Sequence, residues 1–356
     1  MADRLRDDGH EVHFVGTATG PEARLAREAG LVFHALPARG FDRSRRLSLL
    51  GALVVLAVST VRATVLLGRV RPAVVAGFGG YVSIPVGLAA VARQIPIVLH
   101  EQNSVIGMAN KLLSRWACAV AVTYPDTVSQ VRPGTETQVT GNPVREGIVE
   151  ADRAAARRDF GAGERDVLVL AFGGSRGARH LNEAMADLSA ALLERDDVHV
   201  LHVAGPAEVA DVRARIAEDG SAAEEGDRYR VFDYLEDMGS ALAAADVVVA
   251  RAGATSIAEI TAVGRAAVLV PYPYATDDHQ TLNAADVAAA DGAMVVSDAD
   301  LDTPRFADAV LRLVDDATAR AEMADASKSL GRPDAGERLT AAILSCARTR
   351  KSRFVR

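Results

Sequence analysis

The segment Leu168–Ala178 reads Leu-Val-Leu-Ala-Phe-Gly-Gly-Ser-Arg-Gly-Ala, an apolar run that ends in small residues and continues into a helix through Leu181, Asn182, Glu183 and Ala184. A strand-to-helix turn of this kind aims free backbone N–H groups and the positive end of a helix dipole at one point, which predicts a diphosphate site. Gly173 and Gly174 let phosphate oxygens approach the main chain, and Ser175 adds a hydroxyl. Neither the Walker lysine spacing nor a full GxGxxG run is present, so P-loop ATPase and dinucleotide fingerprints both fail. A tight turn without a ligand is the competing interpretation.

A second run, Ala245–Glu259, again passes from an apolar strand through Arg251-Ala252-Gly253-Ala254-Thr255 into a helix. Glu259 falls about one turn inside that helix, where a carboxylate accepts both hydroxyl protons of a ribose. A third run, Val270–Asn283, leaves a strand through Pro271 and Pro273 and starts a helix on which Gln280 and Asn283 can share one face. The amide of Gln280 offers an acceptor and two donors, which suits neighbouring sugar hydroxyls. In the N-terminal half, Ala76–Ser83 (AGFGGYVS) and Leu99–Ser104 (LHEQNS) each follow an apolar strand. Ligands of open parallel sheets gather at such carboxyl ends.

These turns need a scaffold of alternating strands and helices. Apolar runs at Glu11–Val15, Ala73–Ala76, Ile97–Leu99, Ala119–Val122, Val167–Phe172, Val198–Val203, Arg230–Phe232, Val247–Ala250 and Ala267–Val270 recur with helical stretches between them. The alternation predicts an α/β chain with parallel sheets covered on both faces. The rhythm breaks at Thr140-Gly141-Asn142-Pro143-Val144-Arg145, and Asn142 before Pro143 is biased away from helix. We therefore expect two doubly wound, Rossmann-like domains facing across a cleft. Residues 1–142 would form the first, with a last helix at 334–356 packing back on it, and residues 143–333 the second.

The opening, Ala2–His10, reads as the end of a helix closing at Gly9 and leading directly into a strand. A doubly wound domain places a strand and a loop before such a helix, so the sequence is expected to begin inside its first structural unit.

A formal net charge of −7 argues against a nucleic-acid partner. The two cysteines, Cys118 and Cys346, stand far apart with no metal-ligand spacing, which suggests a reducing compartment and no metal site. The charged N-terminus lacks the apolar core of a secretory signal. The charge-free stretch Leu47–Val61 is shorter than the roughly 20 residues a bilayer-spanning helix needs. Flanked by Arg43, Arg45, Arg46, Arg62, Arg69 and Arg71, it suits an interfacial helix among anionic headgroups, or else an ordinary buried helix with solvated arginines.

GFGGYVS at Gly77–Ser83, HEQN at His100–Asn103, GNPVR at Gly141–Arg145, GGSRGA at Gly173–Ala178 and RAGATSIAE at Arg251–Glu259 occur in one order along nearly the whole chain. Together they resemble the family of bacterial enzymes that add N-acetylglucosamine to undecaprenyl-pyrophosphoryl-N-acetylmuramyl-pentapeptide (lipid I), the last cytoplasmic step to peptidoglycan lipid II. The resemblance implies the B-type glycosyltransferase fold, with a donor site for UDP-N-acetylglucosamine in the second domain and an acceptor site in the first.

By motif position, it implies that Ser175 meets the donor phosphate, the main chain near Leu235 meets uracil and Glu259 holds the ribose. Ala254, with Thr255 beside it, Gln280 and Asn103 would contact the sugar, and Arg145 would close the pocket. Gly79, Gly80 and Tyr81 would serve the acceptor. Family members begin with a strand and a GGTxGH loop carrying a histidine important for activity, and this sequence starts after both. Its nearest general-base candidates are then His100 and Glu101, either of which can instead support its loop.

The implied reaction is an inverting displacement at the anomeric carbon, needing no cofactor and no metal, at the cytoplasmic face of an anionic membrane. Two other functions compete: a UDP-N-acetylglucosamine 2-epimerase of the same fold, and a UDP-sugar-binding remnant without transfer activity. His199 and His202, three apart on a strand, are expected to face opposite sides and not to share a metal.

Overall fold

The computed structural model describes residues 1–38, 46–174, 178–218 and 228–354. The chain divides into one compact unit formed by Met1–Pro143 with Asp334–Arg356, and a second formed by Val144–Pro333.

Among the described residues, the first unit contains six strands, β1 (His13–Gly16), β2 (Val32–Ala35), β3 (Val75–Gly77), β4 (Ile97–Glu101), β5 (Ala119–Val122) and β6 (Thr137–Val139). All pair in parallel, but in two sheets: β1 with β2, and β3-β4-β5-β6 in chain order. Strands β4 and β5 are buried at every position, whereas β2 and β6 are short and partly exposed. That is why β2 and β6 escape a search for apolar runs.

The charge-free Leu47–Val61 stretch lies within a longer helix than its own length indicates. The helix runs from Arg46 to Val70, carrying Arg62 and Arg69 within it. By length and composition, its Gly51–Val70 part could cross a membrane, and only 22% of its most apolar window is buried. One side, with Ala52, Ser59, Ala63 and Leu67, is buried, and the helix packs on the Gly80–Ala92 helix. Val54, Val58, Val61 and Val65 lie exposed, spaced as one helical stripe. The helix is therefore neither fully buried nor uniformly exposed.

The cysteines require a second correction. Although 228 residues apart, Cys118 and Cys346 are joined by a disulfide, with Cα atoms 6.1 Å apart. The bond ties the chain before β5 to the final helix, Ala335–Phe354. Leu339, Ile343 and Cys346 of that helix pack on Val98, Ala119 and Ala121 of β4 and β5.

In the second unit, β7 (Val167–Phe172), β8 (Val198–Val203), β9 (Tyr229–Phe232), β10 (Val247–Arg251), β11 (Ala266–Val270) and β12 (Met294–Val295) form one parallel sheet. Its order is β12-β11-β10-β7-β8-β9. Val167, Val169 and Ala171 enter one core cluster, and Leu168, Leu170 and Phe172 the other. This two-residue alternation within an unbroken apolar run is what a strand covered on both faces requires. The chain winds from β7 to β9 in one direction and returns to build β10 to β12 on the other side, so the order reverses between β7 and β10. β12 has only two residues and leaves no sequence signal.

At the opposite ends of these strands Asp246 ties the sheet to a helix. Its carboxylate meets Arg153 at 2.5 Å and Arg157 at 2.8 Å, and accepts from the Leu168 N–H at 2.8 Å.

Candidate active site

The reversal between β7 and β10 is where open α/β sheets leave a crevice for ligands. β7 ends in Gly173 and Gly174. A Cβ on Gly173 would collide with Ala178, and Gly174 has φ +81°, a left-handed conformation that glycine adopts without strain. The turn leads into the helix Arg179–Asp187, whose N-cap Ala178 makes no side-chain cap among the described residues. Ser175 lies outside the described residues.

β10 ends in Arg251 and turns through Ala252 and Gly253 into the helix Ala254–Val263, again uncapped by a side chain. Ala254 is buried at its first position and Thr255 is exposed at its second. Glu259, one and a half turns in, is 7% exposed. Its Oε1 lies 3.3 Å from Arg145 Nη2, whose side chain is largely exposed. Burial pushes the Glu259 carboxyl above its ordinary value, and the Arg145 guanidinium opposes the rise. Two residues 114 apart in sequence thus meet as one pair.

Gln280 lies on the helix His279–Ala288, after the β11 exit. Its Oε1 accepts from the Tyr272 N–H at 2.9 Å, bracing that exit. Asn283, expected on the same face, is fully buried, so it offers no surface to a sugar. Leu235 follows β9 and packs partly buried against the core.

In the first unit, Gly79 (φ +79°) and Gly80 (φ +74°) form the left-handed turn between β3 and the helix Gly80–Ala92. They leave Tyr81 exposed. Glu101 at the end of β4 accepts from the Asn103 N–H at 3.2 Å, the Gly107 N–H at 2.8 Å and Asn110 Nδ2 at 2.9 Å. Asn103 Nδ2 reaches the same carboxylate at 3.4 Å. His100 is buried, its Nε2 donating to the Gly141 carbonyl at 2.9 Å, and burial lowers its pKa. Both side chains are thereby fastened inside the fold, Glu101 as the anchor of the 102–107 loop.

Sequence reasoning missed a chain of charged groups behind the switch point. Arg251 Nη1 lies 2.5 Å from Asp298 Oδ1 and within 3.4 Å and 3.3 Å of the Val270 and Pro271 carbonyls. Its guanidinium sits 5.7 Å from the Tyr272 ring. The other Asp298 oxygen lies 3.0 Å from His180 Nδ1, and His180 Nε2 lies 3.0 Å from Asp302 Oδ2. No local pattern signals contacts across 118 or 122 positions.

His199 and His202 take separate partners, Asp166 at 3.0 Å for the first, and Tyr229 and Asn182 at 3.0 Å and 3.1 Å for the second.

The glycosyltransferase family 28 N-terminal domain matches residues 1–122, and the family 28 C-terminal domain matches residues 168–339. The chain is 40% identical over 348 residues to the UDP-N-acetylglucosamine–N-acetylmuramyl-(pentapeptide) pyrophosphoryl-undecaprenol N-acetylglucosamine transferase of Nitratidesulfovibrio vulgaris, covering 97% of this chain and 92% of that protein. It is 38% identical to the same transferase of Desulforudis audaxviator, covering 93% and 89%. Among solved structures it is similar to Acinetobacter baumannii MurG, with a TM-score of 0.77 and 29% identity over 97% of this chain and 94% of that one. A putative UDP-N-acetylglucosamine 2-epimerase from Listeria monocytogenes shares the fold, with a TM-score of 0.67 at 16% identity.

Proposed function

Because the chain belongs to glycosyltransferase family 28, among the UDP-N-acetylglucosamine–N-acetylmuramyl-(pentapeptide) pyrophosphoryl-undecaprenol N-acetylglucosamine transferases, we propose that it moves N-acetylglucosamine from UDP-N-acetylglucosamine to the 4-hydroxyl of the muramyl sugar of lipid I. The observation that carries the donor half is the strand order: it sets the Gly173–Gly174 turn and the Gly253 turn at the ends of adjacent strands, with Glu259 on the helix leaving the second.

In this reading the uncapped N–H groups at these two turns face the diphosphate, and charge on the departing UDP is stabilised by dipoles already oriented for it. The Glu259 carboxylate accepts the ribose hydroxyls, Arg145 closes over the donor, and Ala254, Thr255, Gln280 and Leu235 line the sugar and uracil positions. Ser175 and Asn103 belong to the same assignment. The acceptor hydroxyl attacks the anomeric carbon as the bond to the diphosphate breaks on the opposite side, and its proton passes to a general base. Gly79, Gly80 and Tyr81 are assigned to the acceptor. His100 and Glu101, fastened by their hydrogen bonds, are assigned to shaping the acceptor loops.

The lipid acceptor implies work at a membrane surface, on its cytoplasmic face. The exposed stripe Val54, Val58, Val61 and Val65, with Arg62 and Arg69 on the same helix, fits shallow insertion among anionic headgroups. Replacing Val58 and Val61 by Asp should release the protein from anionic vesicles while leaving UDP binding intact.

The test of the main reading is transfer of labelled N-acetylglucosamine from its UDP donor to a lipid I analogue. UDP binding without transfer would select the non-catalytic reading. Conversion of the donor sugar with no acceptor present would select the epimerase.

A further inference from the structure

The Arg251–Asp298–His180 chain lies behind the turns assigned to the donor. Arg251 is 7% exposed at its side chain and ends β10, one residue before the turn into the Ala254–Val263 helix. Through its two carbonyl contacts and the Tyr272 ring it grips the exit of β11. Through Asp298 it reaches His180, the second residue of the helix that follows the Gly173–Gly174 turn. One connected set of charges therefore spans the exits of β10 and β11 and the first turn of the helix after β7.

The geometry at His180 is specific about protonation. Both ring nitrogens lie 3.0 Å from carboxylate oxygens, and an ionised carboxylate can only accept. A neutral imidazole has a single N–H, so it can satisfy one of the two aspartates while turning a lone pair toward the other. Only the imidazolium donates to both.

We propose that this chain is a positioning device for the donor, in which protonated His180 holds the first turn of the Arg179–Asp187 helix against the Asp298–Asp302 segment, and loss of that proton loosens the helix start and weakens donor binding. The proposal rests on the donor assignment made above. His180 itself is a positioning residue and touches no substrate.

The surrounding charges agree with a histidine that keeps its proton. Asp298 and Asp302 face it directly, with Arg251 beyond Asp298. Arg179 and Glu183 stand on its own helix, with Arg179 3.8 Å from Glu208. Asp300, in the neighbouring turn, pairs with Arg305 at 3.5 Å. The hydrogen bond to Asp298 raises the His180 pKa above its ordinary value; burial opposes the rise, and the hydrogen bond to Asp302 adds to it.

The experiment is calorimetric binding of UDP-N-acetylglucosamine without acceptor, between about pH 6 and pH 9. The diphosphate diester of this donor keeps its charge over that range. The unaltered protein should lose affinity about three- to tenfold as the pH rises through the His180 pKa. His180→Gln should bind at the weaker level and lose the fall in affinity toward alkaline pH. His180→Arg, permanently charged, should bind tightly and likewise lose the alkaline fall. The proposal is overturned if His180→Gln keeps the pH dependence of the unaltered protein, or if His180→Arg binds as weakly as His180→Gln. Absence of donor binding by the unaltered protein at every pH would overturn the donor assignment, and the proposal with it.

Discussion

Arg145 Nη2 and Glu259 Oε1 stand 3.3 Å apart, with the guanidinium largely in solvent and the carboxylate buried. The pair joins the start of the second unit to the helix that leaves β10. A buried carboxylate held by one exposed cation keeps acceptor capacity for a ligand hydroxyl, and exchanging one partner for another is cheaper than desolvating a bare charge.

Replacing Glu259 by Ala should therefore weaken UDP binding by about 2 kcal/mol, the scale of a hydrogen bond to a charged group, which is roughly thirtyfold in Kd. A UDP analogue lacking both ribose hydroxyls should bind the unaltered and variant proteins alike. A variant that discriminates against the hydroxyl-free analogue as strongly as the unaltered protein does would show that Glu259 is not the ribose ligand.

The raised pKa of Glu259 has a definite sign. Its ionisation works against folding, so this contribution to stability is fully present below the ordinary carboxylate pKa and is lost as the pH rises through the folded value. Donor affinity runs the other way, strengthening as the carboxylate ionises. Arg145→Ala removes the cation that opposes the shift and should move the rise in affinity to higher pH, as read from UDP binding on the acid side of neutrality. An unmoved profile would separate Arg145 from Glu259 in function.

His202 is buried without charge between Tyr229 and Asn182, and burial lowers its pKa from 6.5 to about 4. The unfolded chain takes up the proton first, so stability is complete above pH 6.5 and declines as the pH falls toward about 4. The decline should total about 3 kcal/mol. His202→Gln should lower stability at neutral pH but remove much of the acid dependence. Urea denaturation at several pH values measures both, and an unchanged acid slope in the variant would refute the assignment to His202.

The Cys118–Cys346 bond closes a separation of 228 residues. Disulfides typically contribute about 2 to 4 kcal/mol by restricting the unfolded chain. Reductant should lower the melting temperature of the unaltered protein and leave that of Cys346→Ser unchanged. Equal melting temperatures for the unaltered protein with and without reductant would remove the bond from the account of stability.

Strands β4, β5, β7, β10 and β11 were legible in the sequence because each is built on an apolar run and buried at every position, with only the ends of β4 (His100, Glu101) and β10 (Arg251) polar. β2, β6 and β12 were not, being short or half-exposed pieces whose place depends on a neighbour already in the sheet. The glycine turns at Gly79–Gly80 and Gly173–Gly174 were legible for a related reason: a left-handed backbone or a missing Cβ narrows the choice of residue at the position itself. Glu259 was singled out by its position inside a helix, but its pairing with Arg145 was not.

Local chemistry alone thus determined the alternating α/β grammar, the turns suited to a diphosphate, and the motif order that marks the family. Tertiary structure decided which turns stand side by side, that Cys118 meets Cys346, that Asn283 is buried while Gln280 braces Tyr272, and that Arg251, Asp298 and His180 converge. The physical reason is that a turn is chosen by the φ, ψ and side-chain volume of a few consecutive residues. A contact across a hundred residues is chosen by strand order and packing, which no single segment encodes.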